Sequence, residues 1–452
     1  MTLTRTLAKF TTGLTHQSIP AEVVEKARVC LLNGYGIGLG SHGTPYAPVA
    51  RRAAIAMDGG RPGDATLLCD GRKVSVPGAA LANSALFHGR AQEDTCGAAH
   101  LGAIMIPLLT ALAEARDYPM SRFIPALVAG YEAGGLLEAA YAGRTTPAGL
   151  RASPLYGTIA AAAAAARLME LDEERTAAAI ANAASFAGGI LQSFADGTDE
   201  WRYQVGVAAR NGLAAAELAR AGSVSAPHAI EGSAGFVKAF ARTDCDVGAL
   251  EARLGKEWSI ARVTFKPYPV CAFNQTPVIC ALALRDEIGN RRISSIRVSM
   301  NPYETGYAGM DSTGPFNSIS GTLMSIPFCV AATLVRGVPT MRMMTTYDDP
   351  EVNALVGRVQ LVSDASVPTL CCRIEIELEG GERIERYEQK VPADYSFSRS
   401  EVSELVRRIG TEIDIPASAY DRLERFVDAL PDARIADVIA SFAEAPALRD
   451  AA

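Results

Sequence analysis

Phe265-Lys266-Pro267-Tyr268-Pro269-Val270-Cys271-Ala272-Phe273-Asn274-Gln275 divides this chain into two kinds of sequence. Its two prolines hold it extended, because each restrains the residue before it. Upstream, apolar residues recur at helical spacing. Downstream, from residue 293, they alternate. Residues 293–300 place Ile296, Val298 and Met300 on one face and Ser295, Arg297 and Ser299 on the other. Residues 358–363 and 370–378 behave in the same way. Glu379-Gly380-Gly381-Glu382 then reads as a hairpin turn into residues 383–390. One strong helix is expected over residues 325–336 among these strands, giving a smaller α+β unit.

Upstream, helices are expected over residues 21–39 and 101–114, and an alanine-dense helical stretch over 160–187. Ala208, Ala209, Gly212, Ala215, Ala216 and Ala219 lie on successive turns, a stripe that lets helix axes approach closely. Beyond residue 398 the pattern is helical again, and residues 401–409 and 433–443 are expected to dock back on the first body. The expected fold is therefore mainly α with a smaller α+β domain. It comprises a large helical domain (1–255), an α+β lid (264–398) and C-terminal helices (399–452) that return to the helical domain.

Composition narrows the function. At 452 residues, with 49% apolar and 21% charged residues, the chain fits a two-domain globular protein. Neither an uninterrupted apolar run of about 18 residues nor a secretory leader pattern is present, so a cytoplasmic protein is the simplest expectation. A net charge of −7 without a basic block argues against nucleic acid as a partner. Nine cysteines and five histidines show no metal-ligand spacing, and no nucleotide fingerprint, phosphate loop or nucleophile elbow appears. No metal and no cofactor are expected.

Four polar or glycine-punctuated segments are candidates for chemistry. The first is His88-Gly89-Arg90-Ala91-Gln92-Glu93-Asp94-Thr95-Cys96-Gly97-Ala98-Ala99-His100, which runs into the helix expected at Leu101. A helix N-terminus disfavours imidazolium, so it would hold His100 neutral as a general base, with Asp94 and Thr95 to orient a ligand or the ring. Capping of the helix by Asp94 and Thr95 accounts for the same residues equally well. The second is Ser193-Phe194-Ala195-Asp196-Gly197-Thr198-Asp199-Glu200-Trp201-Arg202-Tyr203-Gln204, where Arg202 offers a fork for a carboxylate and Trp201 alternatively covers the core. The third is the dividing segment itself. Lys266 is one of only seven lysines against thirty-six arginines, and it falls where two domains should meet. Cys271 is assigned to packing. The fourth comprises Asn301-Pro302-Tyr303-Glu304-Thr305-Gly306-Tyr307 and residues 318–328.

In order along the chain, these segments resemble the MmgE/PrpD family of 2-methylcitrate dehydratase, cis-aconitate decarboxylase and iminodisuccinate epimerase. The resemblance covers nearly the whole chain. It rests on residues 89–100, Ser153-Pro154-Leu155-Tyr156-Gly157-Thr158, and Gly197-Thr198 with Gly206-Val207-Ala208-Ala209-Arg210-Asn211-Gly212. It also rests on Ile230-Glu231-Gly232-Ser233-Ala234-Gly235-Phe236, Lys266-Pro267-Tyr268-Pro269-Val270-Cys271 and Met324-Ser325-Ile326-Pro327-Phe328. It implies a cofactor-free site between the domains, a homodimer, and a small carboxylate substrate that loses a proton beside a carboxylate. Water or CO2 is then lost, or the carbon is reprotonated. Thr95, His100 and Lys266 match the family's threonine, histidine and domain-joining lysine. Ala91 stands where relatives carry an aspartate, Arg151 where they carry a histidine, and Trp201 beside Arg202 where they carry a lysine. A further histidine of the relatives is replaced here, its position falling near Cys271 or Gln275. His100 and Lys266 are thus the expected catalytic pair. Asp94, Thr95, Arg151, Thr198, Trp201, Arg202, Tyr268 and Gln275 are expected to bind substrate. The contrasting expectation is a non-catalytic, acid-binding or structural dimeric relative.

Overall fold

The computed structural model describes residues 1–446. Helices dominate the first 250 residues, and their burial follows from composition. Helix Ala152–Leu168 carries seven consecutive alanines and is almost wholly buried. It packs against helix Phe123–Thr145 on one side and helix Glu200–Arg220 on the other. Small side chains permit this, since Gly212 sits directly against Ala161 and Ala162. The alanine-dense stretch is two helices, Ala152–Leu168 and Glu173–Phe186, with Asp172 capping the second through the backbone N–H of Arg175.

Strands in this part are two-residue pieces. β1 (Ala65–Thr66) pairs with β2 (Lys73–Val74), and β3 (Thr95–Cys96) pairs antiparallel with β4 (Val263–Thr264). The β3–β4 pair sets opposite each other two segments about 170 positions apart, with Thr95 facing Thr264.

The alternating segments form one sheet in the order β6–β5–β7–β8, from β5 (Ile293–Met300), β6 (Val359–Ser363), β7 (Cys371–Leu378) and β8 (Arg383–Gln389). β5 runs parallel to β6 and antiparallel to β7. Ile296, Val298 and Met300 are buried, as their alternation requires. Their face is covered by helices Gln275–Ile288 and Ile326–Arg336. The hydroxyl of Ser325 caps the second by accepting from the Phe328 N–H. After the sheet, helix Arg399–Glu412 returns and packs on helix Ala21–Gly40, where a Cβ at Gly36 would overlap Val406.

Two principal apolar cores result. One joins residues between 3 and 265 to residues between 402 and 442. The other is built on the sheet but also takes in Tyr46, Ala91, Leu191, Phe194 and Trp201 from the helical body. Among the described residues no helix is long and apolar enough to cross a membrane.

Candidate active site

The β3–β4 pairing creates the site. Continuing the Thr95–Thr264 register by two residues sets Glu93 opposite Lys266, and successive strand residues point to opposite sides. Glu93 and Thr95 therefore share one side with Thr264 and Lys266, while Asp94 and Phe265 point away. The threonine hydroxyls meet at 2.7 Å, and Lys266 Nζ donates to Glu93 Oε1 at 3.0 Å and to the Ala91 carbonyl. Ala91 presents that carbonyl from a left-handed backbone conformation, φ 55°.

His100 precedes helix Gly102–Arg116 by two residues. Its Nδ1 is 3.0 Å from the Asp94 carbonyl and 3.1 Å from Glu93 Oε1. A carbonyl only accepts, so Nδ1 carries the proton and a neutral ring keeps its lone pair on Nε2. Burial is the largest cause that lowers the His100 pKa well below 6.5, followed by the nearby Lys266 charge. Desolvation thus favours the neutral ring at this position.

Glu93 is the hub. Its Oε1 also lies 3.1 Å from His88 Nδ1, and Arg151 donates to His88 Nε2 at 2.6 Å. Burial pushes the Glu93 carboxyl up, but His88, Lys266 and His100 together draw it well below the usual carboxylate range. Burial, only partly offset by Glu93, lowers His88 to about 4. The result is a buried carboxylate that holds one cation and positions two neutral imidazoles.

These groups edge a cavity of about 420 Å³ between the two cores. Thr95, His100 and Lys266 line it with Glu93, and Trp201 forms part of the wall. Cys271 lines it too. Burial raises its thiol pKa, so it contributes a neutral surface, in keeping with a packing role. Gly97, at φ 61°, leaves room for the Glu138 carboxylate, which a Cβ there would strike.

Six residues expected to bind substrate lie outside the cavity wall. Asp94 points to the opposite side of its strand, accepts from the Tyr131 hydroxyl at 2.6 Å, and is pushed by burial to about 6. Arg151 lies behind the wall, bonded to His88, Gln204 and the Trp201 carbonyl. Arg202 is wholly buried between the Tyr46 and Trp201 rings and donates to Ser320 Oγ at 2.6 Å. Thr198 is exposed on the loop before helix Glu200–Arg220. Tyr268 and Gln275 clasp each other, because the Gln275 amide closes the turn over the backbone of Tyr268 and Val270.

Other residues take their place in the cavity. Arg262 enters from the turn Ser259–Arg262, held by the Gly135 carbonyl at 2.8 Å and by Glu138 Oε2 at 3.4 Å. Phe194, Phe273, Tyr303, Glu304, Tyr307, Leu323 and Met324 complete much of the opposite side. The segments carrying most of them stood out in the sequence, but nothing there marked Glu93 above Asp94 or singled out Arg262.

Comparison with known proteins agrees with this architecture. Residues 5–246 match the MmgE/PrpD N-terminal domain, and residues 268–414 match the MmgE/PrpD C-terminal domain. The chain is 27% identical to the cis-aconitate decarboxylase-like protein oryM of Aspergillus oryzae, over 94% of each chain. It is 26% identical to a cis-aconitate decarboxylase of Aspergillus terreus, covering 79% of this chain and 77% of that one. A human cis-aconitate decarboxylase is 31% identical over 42% of this chain and 40% of its own length. With the two family domains matched in order over most of its length, the chain belongs to the MmgE/PrpD family.

Proposed function

We propose that this protein is a lyase or isomerase acting beside a carboxylate or carbonyl, with His100 as the base and Lys266 as the cation at the developing negative charge. The observation that carries the reading is the shared Glu93 oxygen. It fixes His100 Nδ1 and Lys266 Nζ within 3.1 Å of one atom and leaves His100 Nε2 as the basic nitrogen. In the first step the substrate C–H bond breaks. Its proton passes to Nε2 and its electron pair to the carbonyl or carboxylate oxygen, where Lys266 holds the charge. The enolate-like species then expels a β-hydroxyl as water, with the proton returned by His100, or is reprotonated on carbon.

The names of the relatives support a third course, decarboxylation. There the C–CO2 bonding pair enters the conjugated system, CO2 leaves, and the carbon takes up a proton that comes from solvent, with His100 as the relay. The reading invokes no cofactor. A second reading, small-acid binding without turnover, draws support from Arg151 and Arg202, which are tied up outside the cavity.

Incubation in D2O with a panel of small acids that includes cis-aconitate, followed by NMR, tests both. Turnover or carbon-bound deuterium is expected, falling about 100-fold or more in His100→Ala and by a similar factor, about 100-fold, in Lys266→Gln. Because the folded pKa of His100 lies well below 6.5, the rate should stay level as pH falls through 6.5. An acid limb at or above that pH that persists in Glu304→Gln, which removes the cavity carboxyl titrating near 7, would contradict the assignment of His100 as base. Saturable binding with no exchange would favour the second reading.

A further inference from the structure

We infer that the natural substrate carries no more than one carboxylate, together with an uncharged aliphatic or aromatic arm. The inference rests on the proposed reading of His100 and Lys266 for its reactive end, and on the rest of the cavity for its arm.

Both cations of the cavity are already engaged by protein groups. Its lining contains two cations, Lys266 and Arg262. Lys266 is engaged by Glu93 and the Ala91 carbonyl, and Arg262 by Glu138 and the Gly135 carbonyl. Glu93, Glu138 and Glu304 line the same space. Arg151 and Arg202, the other cations nearby, are bound behind the wall. One substrate carboxylate finds the remaining Lys266 donor, whereas the Arg262 charge is already met by Glu138. A second or third would face carboxyl groups with no cation left to compensate, and a buried unpaired charge is heavily penalised.

The remaining wall is mostly apolar, with Glu304 as its carboxyl group. Phe194 lies 5.0 Å from the Trp201 ring and 6.0 Å from Tyr307, and Tyr307 lies 5.3 Å from Phe273. Leu323 and Met324 extend the surface, and a methionine adapts readily to the shape of an apolar guest. Most polar groups come from residues 93–100, 138 and 262–266, whereas the α+β unit supplies most of the apolar wall and, as polar exceptions, Glu304 and Thr369. The cavity is thus two-sided, and about 420 Å³ lies within the range of about 300–1,000 Å³ typical of sites that enclose ligands larger than a few atoms.

Titration calorimetry on the intact protein tests the arm with unreactive probes: butanoate, hexanoate, octanoate, 4-phenylbutanoate and the tricarboxylate tricarballylate. Each added methylene should tighten binding by about threefold to fourfold, the value of burying one CH2. Tricarballylate should bind at least about tenfold more weakly than octanoate, since it adds charge and no arm. Phe273→Ala should weaken octanoate and 4-phenylbutanoate by about tenfold and leave butanoate nearly unchanged. A flat chain-length series, tricarballylate ahead of octanoate, or no saturable binding of any monoacid overturns the inference. The exchange assay separates the two ideas. His100-dependent exchange of cis-aconitate with a flat series would sink the substrate class alone. Graded monoacid binding, with no acid turned over, would sink the proposed reaction alone.

Discussion

Glu304 shows how a single side chain in the wall couples the site to stability. It is wholly buried, accepts from the Leu370 N–H at 2.8 Å, and leaves Oε2 without a partner among the described residues. Burial raises its pKa from 4.5 to about 7, only partly offset by the Leu370 hydrogen bond. A carboxyl with a raised folded pKa costs the folded state nothing below pH 4.5, where both states are protonated. The cost grows between pH 4.5 and 7 and is complete above 7, at about 3 kcal/mol for a shift of this size. Glu304→Gln keeps the acceptor for Leu370 and removes the charge. The variant should therefore gain stability over the parent at pH 8 and lose most of that advantage at pH 4.5, read from urea midpoints. An advantage that is equal at both pH values would mean that ionisation of Glu304 is not the cause.

Individual elements differ in how openly the sequence declares them. The sheet strands were legible because one face of each is buried, which forces a two-residue alternation, and the helix Ile326–Arg336 because Ser325 and Pro327 mark its start. The β3–β4 pair was not legible. Two residues per strand carry no periodicity, yet this pair decides that Glu93 and not Asp94 faces the cavity. Arginines pose a related problem, since a guanidinium aimed at a ligand and one wedged between Tyr46 and Trp201 look alike in sequence. His100, Lys266, Thr95 and Trp201 were readable through motif order, whereas Arg151 and Arg202 needed the packing. Close helix approach offers an element-scale test. Gly36→Ala places a methyl against Val406 and should cost about 1–3 kcal/mol by overpacking. In the Gly36→Ala/Val406→Ala double variant the interaction should offset part of both losses. Simple additivity would show that helices Ala21–Gly40 and Arg399–Glu412 do not meet at this point.

Across the whole molecule, the two cores are not independent, because the second is completed by side chains of the helical body. Trp201 projects into it, its Nε1 donating to Ser320 Oγ at 3.0 Å, while Arg202 donates to the same oxygen. Ser320 therefore serves two buried donors across the junction of the cores. Ser320→Ala leaves both without that acceptor, at a cost of about 1–3 kcal/mol for each buried group stranded. The chain has two tryptophans, and each reports on a different core: Trp258 packs with Phe10 at the edge of the first, and Trp201 lies within the second. In Trp258→Phe the fluorescence follows the second core, and in Trp201→Phe it follows the first. With Ser320 present, urea unfolding of Trp258→Phe should give one midpoint by fluorescence and circular dichroism alike, since the second core cannot persist once the helical body releases Trp201, Phe194 and Tyr46. With Ser320→Ala added, the Trp201 signal should move to lower urea, ahead of the loss of helix, because the weakened junction lets the α+β unit open first. A fluorescence midpoint that still coincides with the helical signal, after a measured loss of overall stability, would place the coupling in apolar packing alone.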